Sequence, residues 1–333
     1  MIITINKTEA EVLDGETLLE TSLRTGHNVP SLCYAQGAVH QSSCMVCAVR
    51  DANSGQIIPS CTTHPTEGMV IETDSEEVQM IRTLALELLL SDHRADCEAP
   101  CSLVCPKGLD IERMFHLYDT KLYKEAHRLI AGVFDLPASG CDDCKAPCEK
   151  VCRRGTIDQA VSIRTIIGKI AGMYEPLAIN TKKDIRKTDK SVFQSRPGRF
   201  TENEKERIIK SESSDPDGEL KPSRCLHCAC AGRKGCKLRL YATEAGIRRP
   251  RYELSSALPV MKKIHVNGKM WFEPAKCIRC GLCVYNSNNG FTFRDRGFGM
   301  QVIIPEENLT NVSEGLAKLC PTGALYVSER NQN

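Results

Sequence analysis

The chain has little aromatic character, 5% with a single tryptophan, and no long apolar run. Its longest such stretch, around Leu84 to Leu90, contains Glu87 and falls far short of the roughly 20 residues that a membrane-spanning helix requires. No basic start with an apolar core opens it either: MIITINKTEAEVLDG alternates apolar and polar residues like a first strand. These absences lead us to expect a soluble, cytoplasmic protein without membrane insertion. Charge of one sign is also missing, because 44 Lys and Arg face 42 Asp and Glu. A net charge of +2 gives no field that would draw nucleic acid or an anionic membrane. The one basic run, TKKDIRKTDK at Thr181 to Lys190, reads as a solvated linker. Neither a G-x-G-x-x-G fingerprint nor a Walker-type phosphate loop follows any strand candidate, so no nucleotide or flavin site is expected.

Cysteine, by contrast, is abundant. Nineteen fall in four groups along 333 residues, a length that allows two or three domains. An odd count in a reducing compartment points to metal rather than to disulfides. Iron-sulfur clusters are held by thiolates in short stepped spacings, usually four to a cluster. With His93 added the donors number twenty, which would serve five four-ligand clusters.

Cys33, Cys44, Cys47 and Cys61 form C-x10-C-x2-C-x13-C. A helix is expected near Thr17 to Arg24, a turn at Gly26, and short strands at Met45 to Arg50, Gln56 to Pro59 and Met69 to Glu72. Gaps of ten and thirteen are unusual for zinc knuckles and suit a loop around a planar 2Fe-2S rhomb. The motifs VPSLCY (Val29 to Tyr34), SCMVCAV (Ser43 to Val49) and SCTTHPTEGMVIET (Ser60 to Thr73) resemble the plant-type ferredoxin module at the front of the large iron-sulfur subunit of bacterial complex I and of iron-only hydrogenases. That resemblance implies a β-grasp 2Fe-2S domain over residues 1–76. Ser42, Ser43 and Met45 depart from the Gly and Arg common there.

A second amphipathic helix is expected with Val78, Ile81, Leu84, Ala85, Leu88 and Leu89 on one face. It leads into SDHRADCEAPCSLVCPKGLDI, whose His93-x3-Cys97 opening matches a histidine-ligated 4Fe-4S site of the complex I family. The x3 steps to Cys101 and Cys105-Pro106, with the later APCEKVC at Ala146 to Cys152, instead resemble the amino-terminal domain of the glutamate synthase small subunit and its dihydropyrimidine dehydrogenase relatives. This resemblance implies a helical domain at 77–177 with two 4Fe-4S clusters. Carried over residue by residue, one would be held by His93, Cys97, Cys101 and Cys152, and the other by Cys105, Cys141, Cys144 and Cys148.

Residues 178–222 are rich in Lys, Glu, Ser, Asp and Pro and read as a linker or an arm along a partner. Ile185, Val192, Phe193, Phe200, Ile208 and Ile209 are its possible docking points. Within 223–246, Cys225, Cys228, Cys230 and Cys236 form C-x2-C-x-C-x5-C, a spacing that can hold a 4Fe-4S cubane or tetrahedral zinc, with His227 as a bystander. Over 247–333, KCIRCGLCV and LCPTGAL supply Cys277, Cys280, Cys283 and Cys320 before Pro321 for one 4Fe-4S cluster. The segment through RGF at Arg296 to Phe298 again resembles the ferredoxin-like domain of complex I and the hydrogenases.

The expected fold class is therefore α+β, with a 2Fe-2S domain, a helical di-cluster domain and a ferredoxin-like 4Fe-4S domain. One 2Fe-2S and four 4Fe-4S clusters, the Cys225–Cys236 set having zinc as its alternative, without a visible reaction centre, suggest a non-catalytic electron-transfer subunit of a multisubunit oxidoreductase. Family analogy implies a flavoprotein NAD(P)H-oxidising subunit at one end and a catalytic subunit, such as a formate dehydrogenase or hydrogenase, at the other. Two competing classes are an enzyme with an open cluster site and a redox- or iron-responsive regulator with a labile cluster. The first needs an incomplete ligand set and the second a signalling or DNA-binding module.

Overall fold

The alternation that begins at Ile2 makes a strand whose inward residues, Ile3 and Ile5, are almost wholly buried. In the computed structural model of the chain, the described residues are 1–134, 141, 143–174, 189–195, 202–203, 205–206, 209, 224–230, 235–252, 264–267, 270–305, 307–308 and 312–327. Strand β1 (Ile2–Ile5) turns back at Asn6 and Lys7, both in the left-handed region that tight hairpins require, into β2 (Thr8–Glu11). Helix α1 (Leu18–Arg24) follows. Its start is set by a capping box, in which Thr17 receives the Glu20 amide and the Glu20 carboxylate receives the Thr17 amide. Strands β3 (Ala48–Asp51), β4 (Ile57–Pro59) and β5 (Val70–Glu72) complete a mixed sheet of order β2-β1-β5-β3-β4, with β1 and β5 parallel.

Helix α2 (Glu76–Ser91) is the longest helix among the described residues. Its buried face is Val78, Ala85, Leu86 and Leu90, rotated from the expected stripe: Leu84 and Leu88 are exposed. The rotation places Arg82 over the sheet, where its Nε donates to the Ala48 carbonyl (2.9 Å). No described helix is long and apolar enough to cross a membrane.

The chain divides into two units. The first comprises Met1–His93, Lys234–Leu254 and Lys263–Asn333. Besides the sheet above it contains a three-stranded antiparallel sheet, in which β7 (Met270–Phe272) lies between β6 (Ile264–Asn267) and a terminal strand at Leu325–Val327, and a hairpin of Thr292–Arg294 with Gln301–Ile303. Val266, Met270, Phe272, Phe291 and Leu325 form its core.

The second unit, Arg94–Arg233 with Ser255–Lys262, is helical where described. Helices α3 (Pro100–Leu103) and α6 (Pro147–Lys150) are single turns begun by proline, a residue preorganised for the first helical position. Longer α4 (Ile111–Asp119), α5 (Tyr123–Ala131) and α7 (Ile163–Ala171) bury Met114, Phe115, Ile130, Ile166, Ile167 and Ile170 together. Of the apolar residues in the 178–222 stretch, Val192 and Phe193 are buried in this unit, and the Phe193 carbonyl accepts the Cys97 amide (3.1 Å). Ile209 is exposed, whereas Ile185, Phe200 and Ile208 lie outside the described residues.

Candidate metal centres

The first cysteine group sits on the loops between α1 and the sheet. Backbone bonds from Leu18 to the Thr63 carbonyl (2.8 Å) and from Leu19 to the Ser60 carbonyl (3.0 Å) tie the fourth cysteine's loop to the start of α1. The Ser60 hydroxyl donates to the Cys47 carbonyl (2.7 Å), and His40 Nε2 meets the Cys61 carbonyl at 2.9 Å. Cys33, Cys44, Cys47 and Cys61 are at most 6% exposed, so water is excluded from all four sulfurs. They are free thiols, close enough that Cys33 is influenced by Cys44 and by Cys61, and Cys47 by Cys61. Cys33 is held below the usual thiol range by contacts from Cys44 and Cys61, with further bonds from the Ser43 and Cys44 amides. Hydrogen bonding from Cys61 brings Cys47 down to about 6. Four buried, neighbouring thiols fit a thiolate-bound cluster.

The fourth group lies in the same unit. Gly281 begins the single turn Leu282–Tyr285 in the left-handed region (φ +81°), and a Cβ there would run into the Tyr285 ring. Only glycine lets the backbone pass between Cys280 and Cys283 in this way. Cys277 Sγ accepts the Arg279 amide (3.3 Å), and Cys320 Sγ accepts the Leu325 amide (3.4 Å). Burial pushes Cys280 and Cys283 up to about 12, and Cys277 also rises, first by burial and then by the neighbouring Cys283 and Cys320 sulfurs. A clamp joins this group to the first. Asn286 accepts the Val39 amide (2.9 Å) and donates to the Val39 carbonyl (2.7 Å), while the Tyr285 hydroxyl donates to Gln41 (3.0 Å). These bonds hold the Cys33–Cys44 loop against the turn carrying Cys283, and Cys280 lies close enough to feel the charge of Cys33. Cys236, N-cap of the helix Lys237–Glu244, is nearby: its sulfur accepts the Arg239 amide (3.4 Å), Lys237 donates to the Pro321 carbonyl (2.8 Å), and Cys320 adds to its raised pKa after burial.

In the second unit the thiols come from separate segments. Cys148 is pushed up to about 12 by burial, with Cys105 and Cys141 contributing. The loop before it is held by Arg164, whose side chain donates to the Cys144 carbonyl (2.9 Å) and whose amide donates to Glu149 (2.9 Å). A cavity near α3, α4 and α6 is lined by Cys101, Cys152, Cys225 and Cys228 among apolar Phe115 and Val161. Residues 228–230 run beside Asp96: the Asp96 amide donates to the Cys228 carbonyl (3.2 Å) and the Cys230 amide to the Asp96 carbonyl (2.8 Å). The buried Asp96 carboxylate is gripped by Arg153 through two bonds of 3.0 and 3.1 Å. On the other side, His227 bridges Glu112 (3.0 Å) and Asp119 (2.8 Å) of α4 as a strut. Among the described residues, no three His, Cys, Asp or Glu side chains close around a point as a single ion requires.

Each expected ligand is thus placed. Cys33, Cys44, Cys47 and Cys61 come together, as do Cys277, Cys280, Cys283 and Cys320, and Cys105 and Cys141 neighbour Cys148. His93 is buried and belongs to the first unit, with Cys236; Cys97, Cys101, Cys152, Cys225, Cys228 and Cys230 belong to the second. The supporting residues Asp96, Arg153, Ser102, Asn286 and Arg82 escape sequence reasoning because single polar residues carry no spacing signal. Only the adjacency of Asp96 to Cys97 and of Arg153 to Cys152 hints at two of them.

Comparison with known proteins bears on the first unit. A family described as "2Fe-2S iron-sulfur cluster binding domain" matches residues 1–76. The NADP-reducing hydrogenase subunit HndD of Solidesulfovibrio fructosivorans is 36% identical over 117 residues, covering 34% of this chain and 19% of that protein. A subunit of the NADH-quinone oxidoreductase of Rhizobium meliloti (strain 1021) is 31% identical over 110 residues, 33% of this chain and 12% of that protein. The matches therefore span less than a fifth of each of these curated relatives. A chain of the NAD+-reducing NiFe-hydrogenase crystal structure in the H2-reduced state aligns with TM-score 0.51 at 14% identity, covering 100% of this chain and 89% of its own, a likeness of fold alone. Residues 1–76, with their buried four-thiol loop, are a 2Fe-2S ferredoxin-type domain.

Proposed function

We propose that the chain is an iron-sulfur electron-transfer subunit of a multisubunit oxidoreductase, carrying electrons between a flavin- or NAD(P)H-linked partner and a catalytic subunit. One 2Fe-2S cluster is assigned to Cys33, Cys44, Cys47 and Cys61. Four 4Fe-4S clusters use the remaining donors, one of them on Cys277, Cys280, Cys283 and Cys320 and one on Cys105, Cys141, Cys144 and Cys148. When bound, such clusters supply one-electron carriers whose potentials follow charge, hydrogen bonding and exposure. The chain's own residues bury the sulfurs and fix their separation.

The observation that carries this reading is the Asn286 clamp, which ties the loop between Cys33 and Cys44 to the turn carrying Cys283, with Cys280 within electrostatic reach of Cys33. A lone structural or sensing cluster has no need of a second thiol set tied to it. The electron paramagnetic resonance spectrum of stepwise-reduced protein tests it. Reduction of the C-terminal centre should broaden the 2Fe-2S signal by spin coupling, and Cys280→Ser should abolish the broadening. Two independent, unbroadened signals would refute conduction between them.

A further inference from the structure

We infer that one 4Fe-4S cluster is held by Cys101, Cys152, Cys225 and Cys228, a set that joins the first and last parts of the helical unit across more than a hundred residues of sequence. The inference rests on the iron-sulfur reading above and specifies its ligands. It departs from the expected grouping, in which the family resemblance joins Cys101 and Cys152 with His93 and Cys97, and spacing joins Cys225 and Cys228 with Cys230 and Cys236.

Three observations within the second unit carry it. First, the four cysteines line a single cavity, with Phe115 and Val161 among its apolar lining residues. Cys97 and Cys230 do not line that cavity. Second, each sulfur is in electrostatic reach of others in the set: Cys101 of Cys152, Cys225 of Cys228 and Cys101, and Cys228 of Cys101 and Cys152. Third, the scaffold fixes this arrangement from three directions. The Arg153–Asp96 pair ties the residue after Cys152 to the segment that runs along 228–230. His227 ties the turn between Cys225 and Cys228 to Glu112 and Asp119 of α4. Ser102, next to Cys101, accepts the Ile111 amide (2.9 Å) and the Glu112 amide (3.3 Å) at the start of that same helix.

The chain changes course within this segment: His227 is in the left-handed region (φ +48°), and the bridge of Ala229 to Asp96 follows at once. Cys228 lines the cavity with Cys225, while Cys230, whose amide donates to the Asp96 carbonyl, does not line it. Cys97 and Cys230 are left for a different centre. His93 and Cys236 belong to the unit that does not contain the cavity.

The test uses anaerobically purified full-length protein. The aspartate variants C152D, C225D, C97D and C230D each keep an oxygen ligand, and their reduced spectra are compared. C152D and C225D should shift or abolish the same 4Fe-4S signal, with C97D and C230D leaving that signal in place. If C152D instead shares its altered signal with C97D, and C225D shares its own with C230D, the assignment is overturned. Because a variant can fail to fold, wild-type protein is also stripped stepwise with a chelator and the freed thiols are alkylated and mapped by mass spectrometry. Cys101, Cys152, Cys225 and Cys228 should become reactive as one group, with loss of about four irons. Release of Cys225 and Cys228 in step with Cys230 rather than Cys101 would refute the site. Wild-type protein without acid-labile sulfide would sink the iron-sulfur reading itself, an outcome distinct from either grouping.

Discussion

The first cysteine group and the cavity of the helical unit present their thiols on different architectures. Cys33 to Cys61 lie within 29 residues, wrapped on a sheet whose own core of Ile3, Ile5, Leu18, Leu19 and Ile71 is buried without reference to metal. Of the cavity thiols, Cys101 sits on the one-turn helix α3, Cys152 just after α6 at the start of a 3-10 turn, and Cys225 and Cys228 just before the bridge of Ala229 to Asp96. A thiol loop on a sheet core is preorganised, whereas thiols on isolated turns depend on the cluster to hold them, because site formation and folding are then one process. The longer helices α4, α5 and α7 have an apolar core of their own, so this dependence concerns the thiol-bearing segments and not the whole unit.

The widest difference should appear on iron removal. Hydrogen exchange of the apoprotein should show α3, α6 and residues 224–230 exchanging freely while β1 and β5 keep their protection; uniform loss across both regions would erase the contrast. Next in size is Gly281→Ala. The added Cβ meets the Tyr285 ring at a left-handed φ, so the C-terminal 4Fe-4S signal should disappear while the 2Fe-2S signal persists. An unaltered iron count in that variant would show that the turn tolerates a side chain.

His227→Ala removes the strut between two carboxylates of α4, an expected cost of about 1–3 kcal/mol to the helical unit. Chemical denaturation should register that loss in the helical signal and leave the ferredoxin-type domain unchanged. Acidity sharpens the comparison further. Cluster assembly must displace thiol protons. Cys148 is pushed up to about 12 by burial, so it stays protonated through neutral pH and assembly at its site should improve from about pH 7 to about 9. The first site combines lowered Cys33 and Cys47 with Cys44 and Cys61, both raised by bonding from neighbouring sulfurs and by burial, so assembly there should also improve as the pH rises, read in reconstitution followed by absorbance. A yield at either site that falls as the pH rises would contradict this account.

The smallest effect should come from Arg82. Its Nη2 is buried without a hydrogen-bond partner among the described residues, and the guanidinium is within electrostatic reach of Cys47. A positive charge there favours the reduced, more negative cluster. Arg82→Gln should therefore lower the 2Fe-2S potential, by an amount on the order of tens of millivolts. Redox titration reads it directly, and a potential that rises or does not move would exclude the residue from tuning.

What is legible in the sequence is what is local. The spacing of Cys33, Cys44, Cys47 and Cys61 announces a loop, and the strands expected at Met45 to Arg50 and Met69 to Glu72 appear as Ala48–Asp51 and Val70–Glu72. The helix expected near Thr17 to Arg24 appears as Leu18–Arg24, because its capping box is written in adjacent residues. The face of α2 differs from expectation, since an apolar stripe including Leu84 and Leu88 does not reveal which side a neighbouring sheet will cover. Val192 and Phe193 sit in a stretch polar enough to read as linker, yet both are buried against the helical unit. The company of Cys225 and Cys228 is not legible either. It is set by Asp96, Arg153 and His227 acting between segments far apart in the chain, and no spacing rule encodes such contacts.

The central claim is that the thiols and His93 hold a set of iron-sulfur clusters that conducts electrons. Iron, acid-labile sulfide and zinc per chain, measured on anaerobically purified protein, test it most directly. About eighteen irons, two plus four times four, with matching sulfide and no zinc is the result the account predicts. A protein loaded mainly with zinc would contradict it.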